Sequence, residues 1–168
     1  MKNKKIQNIA LSGLLSAIAI LIPLIMPFKI ILPASTYTFA SHVPIFIAMF
    51  INPSVAIMVT LGSALGFFIS FPFIVALRAL SHLSFVIIGS LYLQKHPLNT
   101  LKSSLLFNIV IGIIHALAEF LMVVFIMRET LTNQILAQYF LFLGIGTFVH
   151  SFIDFTLSLS IFKAIDQN

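Results

Sequence analysis

The sequence predicts an all-α integral membrane protein, with six transmembrane helices forming a single domain over residues 1–168. Its side chains are 60% hydrophobic and only 8% charged, a composition outside the range of soluble globular domains. The apolar residues also gather into runs, and each membrane crossing needs about 20 of them. Six runs lie at roughly residues 6–26, 37–51, 54–70, 71–93, 103–127 and 135–162.

The first run follows a basic start, as a signal peptide does. Its apolar stretch is longer than that of a signal peptide, and no small-residue cleavage site ends it before Pro23. We therefore expect it to be the first membrane helix.

The basic residues indicate how the helices are oriented. With six crossings, one side of the membrane carries Lys2, Lys4, Lys5, Lys95, Lys102 and Lys163. The other side carries Lys29 and Arg128. Because cytoplasmic loops are enriched in lysine and arginine, both termini are expected in the cytoplasm. The net charge of +5 is thereby explained by topology and lipid contact, and we expect no nucleic-acid partner.

The connections between the helices differ in character. Asn52-Pro53 is a turn signal, so the second and third runs are expected to form a tight helical hairpin. The first connection is expected to be a structured external loop, since it is uncharged beyond Lys29 and carries Tyr37, Phe39 and His42. Two interpretations stay open for it: a lid over the outer mouth of the bundle, or an interfacial aromatic belt.

Polar side chains recur on the later helices at a spacing of four residues. The pairs are Arg78 with His82, His115 with Glu119, and His150 with Asp154. Side chains four apart share one helix face, and a charged group inside the membrane normally faces protein, water or a ligand. Each of these helices is therefore predicted to present one polar stripe.

Helical rise gives the depth of each stripe. Counted from the outer helix ends, Arg78 and Glu119 lie roughly 9 to 12 Å down, and His82 and His115 roughly 15 to 18 Å down. His150 lies at roughly 22 Å, which leaves Asp154 in the inner half. The sequence thus predicts a polar pocket that opens outward, in which Arg78 can meet Glu119.

Other interpretations of these residues remain open. Arg78 with Glu119 could be a structural ion pair, and Asp154 could orient the His150 imidazole or bond between helices. A metal site is conceivable because suitable ligands are present: His42, His82, His115, His150 and Glu119. No dense local ligand motif appears, however, so neither a metal nor another cofactor is expected. Haem binding and enzymatic activity are less favoured still, since no GxSxG or HExxH signature occurs.

Small residues on two helices predict close helix packing. On the first helix Gly13 and Ala17 are four apart, and so are Ser12 and Ser16. Such pairs let another helix approach, either within this chain or from a partner. Gly62 and Gly66 form a GxxxG pair on the third helix, which we interpret as structural.

The run from Pro33 to His82, with the pieces ASHVPIFIAMF and RALSH, resembles the niacin-specific S components of energy-coupling factor (ECF) vitamin transporters. The resemblance implies a substrate-binding subunit that captures its vitamin near the outer face, with the first loop and helices four to six. It implies as partners a transmembrane coupling subunit and two ATPases. The chain itself has no GxxxxGK[ST] phosphate-binding loop. The family's coupling contact is an Ala-x-x-x-Ala stretch on helix one, for which Gly13 and Ala17 are the nearest match.

Nicotinate needs a cation, an aromatic wall and a hydrogen-bond partner for its ring nitrogen. Arg78 is the candidate for the carboxylate, with Tyr37 and Phe39 over the ring. The imidazoles of His42, His82, His115 and His150 are candidates for the remaining polar contacts, and Glu119 for orienting Arg78. Pantothenate, pyridoxine and folate remain possible substrates, and so does a stand-alone ion-coupled transporter.

Overall fold

The computed structural model describes residues 2–32 and 35–166, and helices dominate this part of the chain. Pro33, with which the resembling run begins, lies outside the described residues. The α-helices are α1 (Lys2–Ile25), α2 (Val43–Ile51), α3 (Pro53–Ser70), α4 (Phe73–Ser81), α5 (Leu83–Leu93), α6 (Leu101–Ile126), α7 (Asn133–Tyr139) and α8 (Thr147–Asp166). A 3-10 turn (Arg128–Thr130) precedes α7, and a π-helix (Phe140–Gly146) joins α7 to α8.

Within the described residues, five helical segments are long and apolar enough to cross a membrane. They are Asn3–Ile25, Pro53–Ser70, Phe73–Leu93, Leu101–Ile126 and Asn133–Ile165. These segments coincide with five of the six predicted runs. The chain is therefore a multi-pass membrane protein.

The second predicted run is not one helix, which corrects the expectation for residues 37–51. Its first residues belong to strand β2 (Thr36–Thr38), a turn follows, and α2 contains only nine residues. Such a helix is about 14 Å long, against about 30 Å for the hydrocarbon core. Ala40 has a positive φ of 61°, which interrupts helical geometry, and the helix begins only after His42, with Pro44 in its first turn.

The first connection is held by a two-stranded hairpin. Strand β1 (Lys29–Ile31) pairs antiparallel with β2, so that Lys29 is opposite Thr38. The Lys29 ammonium donates to the carbonyl of Pro23 at 2.6 Å, which ties the hairpin to the end of α1. We call the end of the bundle that carries this hairpin the hairpin end, and the other the loop end.

Turns at the loop end form as the sequence predicts. Pro53 is the first residue of α3, and the Asn52 side chain accepts from the Ser54 amide at 2.8 Å. This confirms the tight helical hairpin between α2 and α3. Helix α6 starts with a reciprocal capping box between Thr100 and Ser103, which satisfies amides that have no partner within the helix.

Helix α1 packs on α3 through the two glycines of the GxxxG pair. A Cβ added at Gly66 would lie 2.7 Å from the Ile20 backbone, and one added at Gly62 would lie 2.9 Å from Cβ of Ser16. Only glycine permits this approach, because any side chain would push the backbones apart. The structural interpretation of the pair thus agrees with its packing.

An aromatic core lies between α2, α5, α6 and α8. Phe46 contacts Phe85 and Phe155 with ring centroids 5.4 and 5.3 Å apart, and Phe107 contacts Phe155 at 5.4 Å. Aromatic pairs at these separations add to the energy of burial. The core also contacts two histidines, since the Phe85 ring lies 4.5 Å from that of His115 and 5.7 Å from that of His82, centroid to centroid.

Candidate functional site

Polar side chains from the hairpin, α4, α6 and α8 line one narrow chamber at the hairpin end. Its walls include Tyr37, His42, Arg78, His82, Glu119 and His150. Six of the eight substrate-binding residues expected from the sequence thus meet around one space. His115 lies directly behind it, and Phe39 lies elsewhere.

The pair between Arg78 and Glu119 forms as helical depth predicts. Nη2 of Arg78 donates to Oε2 of Glu119 at 2.8 Å, and the residues are only 5% and 4% exposed. His82 and the hydroxyl of Thr147 also donate to this carboxylate, at 2.9 and 2.8 Å. Both carboxylate oxygens of Glu119 on α6 therefore accept hydrogen bonds, and the residue links α4 to α8.

The Arg78 guanidinium still has donors to offer. Its Nε has no hydrogen-bond partner within the described residues, although a buried donor without a partner costs about 1–3 kcal/mol. Arg78 also lines a second, more apolar cavity, which is bounded by the hairpin residue Leu32, by Pro72 and by Tyr139. The guanidinium thus lies between this second cavity and the chamber.

Four histidines converge although the chain spaces them widely. The ring of His42 lies 4.7 Å from that of His82, 4.6 Å from that of His115 and 5.0 Å from that of His150, centroid to centroid. His82 and His115 are themselves 4.5 Å apart. The first connection brings His42 into the centre because α2 is short and starts deep in the bundle.

Asp154 joins α8 to the start of α2. Its carboxylate accepts from the amides of Ala40 and His42 at 3.2 and 3.0 Å, and from Nδ1 of His42 at 3.0 Å. Nε2 of His150, its expected partner, lies 3.5 Å away. The depth estimate placed Asp154 in the inner half of the membrane; in the structure it contacts the first connection, because that connection descends into the bundle.

Tyr37 fastens the hairpin to the π-helix. Its hydroxyl donates to the carbonyl of Phe142, and its ring lies 5.4 Å from that of His150. Burial raises the pKa of the Tyr37 phenol, so the hydroxyl stays protonated and remains a donor. The same Phe142 carbonyl accepts from the Thr147 amide within the π-helix, a kind of helix that often occurs at functional sites.

Phe39 does not join this wall. Its side chain is 46% exposed, and it is not among the residues that line the chamber. Sequence reasoning instead missed Thr147, Phe67 and Val75, which do line it. Thr147 could have been found from helical spacing, because it is one turn before His150 on the same face.

The two small-residue pairs of α1 have different surroundings. Ser16 faces α3 and donates to the carbonyl of Met58 at 3.3 Å, and Ser12 is partly covered. Gly13 and Ala17 are exposed, with nothing within 4 Å of a Cβ built at Gly13. The expected partner contact can thus be met by Gly13 and Ala17, while Ser16 is engaged within the chain.

Two groups of side chains come close enough to share a metal ion. One is His42, His82 and His115, and the other is His42, His150 and Asp154. In each group the candidate ligand atoms lie within 4.8 Å of one another. The fold therefore brings candidate metal ligands from different helices together, which the sequence alone could not show.

Comparison with known proteins gives one informative relative. No family model matches the chain, and no solved structure matches it. The niacin transporter NiaX of Lactococcus lactis subsp. cremoris is 37% identical over 172 residues, which cover 99% of this chain and 78% of the relative. With that identity over that coverage, the chain belongs to the NiaX family, and the resemblance to niacin-type S components carried by its sequence is confirmed.

Proposed function

We propose that this protein is an S component that captures nicotinate from the outer side of the cell membrane, for ATP-driven uptake by separate subunits. In this proposal the hairpin end is extracellular, both termini are cytoplasmic, and α2 with the first connection takes the place of a sixth crossing segment. The relative's name, niacin transporter NiaX, supports a niacin-type substrate.

The observation that carries the proposal is the environment of Arg78. The guanidinium is buried, binds Glu119 through one nitrogen, and keeps an Nε without a partner in the described structure. A carboxylate can take paired bonds from such a planar fork.

Other groups around the chamber suit a flat pyridine ring. The Tyr37 ring stands beside the ring of His150, and together they provide an aromatic wall. Ser41 and His150 also line the chamber and can offer a donor to the ring nitrogen, whereas His42 and His82 direct a ring N–H to Asp154 and Glu119. Phe39 is exposed and could approach the ring only if the hairpin moved.

Transport requires partners that the chain does not contain. The proposed partners are a transmembrane coupling subunit and two ATPases, as the family resemblance implies. The exposed pair Gly13 and Ala17 is the proposed contact on α1, because small residues allow a partner helix to approach closely. Energy-dependent uptake would then need all four proteins.

The test is binding of radiolabelled nicotinate to the purified chain, with nicotinamide, pantothenate, pyridoxine and folate as competitors. Arg78→Ala should weaken binding about 100-fold, since two charge-assisted hydrogen bonds are lost. Arg78→Lys keeps the charge beside Glu119 and should lose about tenfold. Arg128→Ala is the matched control, because Arg128 is exposed and pairs with Glu129.

Each outcome has a distinct meaning. Normal affinity in folded Arg78→Lys and Arg78→Ala proteins would overturn the carboxylate clamp. Displacement by another vitamin alone would replace nicotinate as the substrate. Uptake by this chain alone, driven by a proton gradient, would favour a stand-alone transporter instead.

A further inference from the structure

We propose that His42, His82 and His115 form a binding site for a divalent transition-metal ion of the zinc class, at the floor of the chamber. The site goes beyond nicotinate capture and does not depend on it. Three neutral imidazoles favour zinc, nickel or cobalt over magnesium and calcium, which prefer oxygen ligands.

The geometry is close to that of a three-histidine site. The three rings lie 4.5 to 4.7 Å apart, centroid to centroid, and their candidate ligand nitrogens lie within 4.8 Å of one another. Zinc bonds to histidine at about 2.0–2.1 Å, so tetrahedral ligand nitrogens are about 3.3 Å apart. The three side chains would therefore move closer together when a metal ion binds.

Two of the histidines are already oriented as metal ligands usually are. Nδ1 of His42 lies 3.0 Å from the Asp154 carboxylate, and Nε2 of His82 lies 2.9 Å from that of Glu119. A metal-bound histidine typically donates its other ring nitrogen to a carboxylate, which fixes the tautomer and raises ligand basicity. In both residues the bonded nitrogen leaves the opposite nitrogen to coordinate.

Unpartnered nitrogens mark the same place. Nδ1 of His82 and both ring nitrogens of His115 are buried without a hydrogen-bond partner among the described residues. Nε2 of His115 lies 3.6 Å from Glu119, too far for a hydrogen bond. Buried polar groups are normally satisfied, and a metal ion would satisfy a nitrogen on each ring at once.

The charge around the site also favours a cation. Two buried carboxylates, Glu119 and Asp154, face one guanidinium, Arg78, which pairs with Glu119. Within residues 2–32 and 35–166 no lysine or arginine pairs with Asp154. With neutral imidazoles, the two carboxylates and the one guanidinium leave a net charge of −1. A divalent ion would change this net charge to +1.

Two of the three histidines face the chamber, and three imidazoles leave one position of a tetrahedral metal ion unfilled. His42 and His82 line the chamber, while His115 is 0% exposed behind them. The three imidazoles would occupy three coordination positions and leave the fourth facing the chamber. An open fourth position distinguishes sites that bind a further ligand from closed structural ones.

The test uses the full chain, purified with a histidine-free affinity tag, stripped with a chelator and then titrated with Co²⁺ or Zn²⁺. We expect one ion per chain by elemental analysis and the visible absorption bands of tetrahedral Co²⁺. His82→Ala and His115→Ala should each weaken binding at least tenfold. His96→Ala is the matched control, because His96 lies in the exposed connection after α5 and bonds to the Tyr92 carbonyl.

A second measurement needs no substitution. Zn²⁺ should raise the thermal unfolding temperature of the wild-type chain, and Mg²⁺ should not, since a ligand that binds only the folded state stabilises it. Metal content equal in wild type and in His42→Ala/His82→Ala/His115→Ala, or absence of tetrahedral Co²⁺ bands, would overturn the site. Nicotinate binding by the stripped chain is scored separately, so its retention leaves the proposed function standing whichever way the metal result falls.

Discussion

The polar cluster consists of Arg78, Glu119, Asp154 and the four converging histidines. Glu119 and Asp154 are its two buried carboxylates, but their hydrogen-bond and charge partners differ. Glu119 has a full positive charge beside it, with Nη2 of Arg78 at 2.8 Å, and it also accepts from His82 and Thr147. Asp154 is 0% exposed and accepts from two backbone amides and from His42. The first is an ion pair between membrane helices, whereas the second fastens a loop.

The difference separates two tasks within one cluster. The Glu119 centre holds Arg78 in place and keeps a membrane-buried charge neutralised. The Asp154 centre holds the turn at Ala40 and His42, on which the start of α2 and the position of the hairpin depend. In the proposed function, the Glu119 centre therefore serves substrate binding and the Asp154 centre holds the hairpin in place.

The largest effect is expected from Glu119→Gln, which leaves Arg78 buried without a counter-charge. Removing one partner of a buried ion pair costs about 3–5 kcal/mol, and glutamine recovers part of this through its amide oxygen. We expect a loss of about 3 kcal/mol in the free energy of unfolding, measured by thermal unfolding in detergent. Glu129→Gln is the control, since the Glu129 side chain is 84% exposed, and an equal loss in both variants would contradict the ion-pair account.

Asp154→Asn should cost less, because no lysine or arginine is left unpaired by it in the described structure. Asparagine keeps one acceptor for the amides of Ala40 and His42, so we expect a loss of about 1–2 kcal/mol. Hydrogen exchange should speed up at residues 39–42 while it changes little in α4. If Asp154→Asn proved more destabilised than Glu119→Gln with both proteins free of metal, Asp154 would have to pair with a protonated histidine in the wild-type chain, and the two centres would both be ion pairs.

Several features of this comparison were accessible from the sequence. Five apolar runs were found because the length of a membrane helix is fixed by the bilayer. The meeting of Arg78 and Glu119 followed from helical rise, and the polar stripes followed from a spacing of four residues. Run length and residue spacing can be read directly along the chain, without knowledge of how distant segments pack.

The Asp154 centre was not accessible, and neither was the convergence of the histidines. Within an apolar run, β-branched and aromatic residues are compatible with strand as well as helix, and Thr36–Thr38 becomes a strand because it pairs with Lys29–Ile31. That pairing shortens α2 and carries His42 into the bundle. Helical counting therefore gave Asp154 a depth and a neighbour on its own helix, His150, but could not show its bonds to Ala40 and His42.

The hairpin is also attached through the hydrogen bond from Tyr37 to the Phe142 carbonyl, and a substitution at Gly146 should break this bond. A methyl group there would collide with the side chain of Tyr37, whose Cζ would lie 2.9 Å away. We expect Gly146→Ala to displace Tyr37 from the Phe142 carbonyl and to weaken nicotinate binding about tenfold, or about 1.4 kcal/mol. Gly144→Ala in the same π-helix is the control, because its new Cβ would meet Phe140 at an ordinary 3.6 Å; equal losses in the two variants would show that helix geometry, and not Tyr37, matters.

The smallest effect is expected at Thr147, whose hydroxyl donates to Oε2 of Glu119 at 2.8 Å. Thr147→Val keeps the shape and removes this bond, at a cost of about 1 kcal/mol in unfolding free energy, while Thr147→Ser keeps the donor and should cost less. Combining Thr147→Val with Asp154→Asn tests whether the two centres are independent, since distant sites usually add within about 0.3–0.5 kcal/mol. A larger coupling energy would mean that the histidines between Glu119 and Asp154 transmit strain, and the cluster would then have to be treated as one site with two carboxylates.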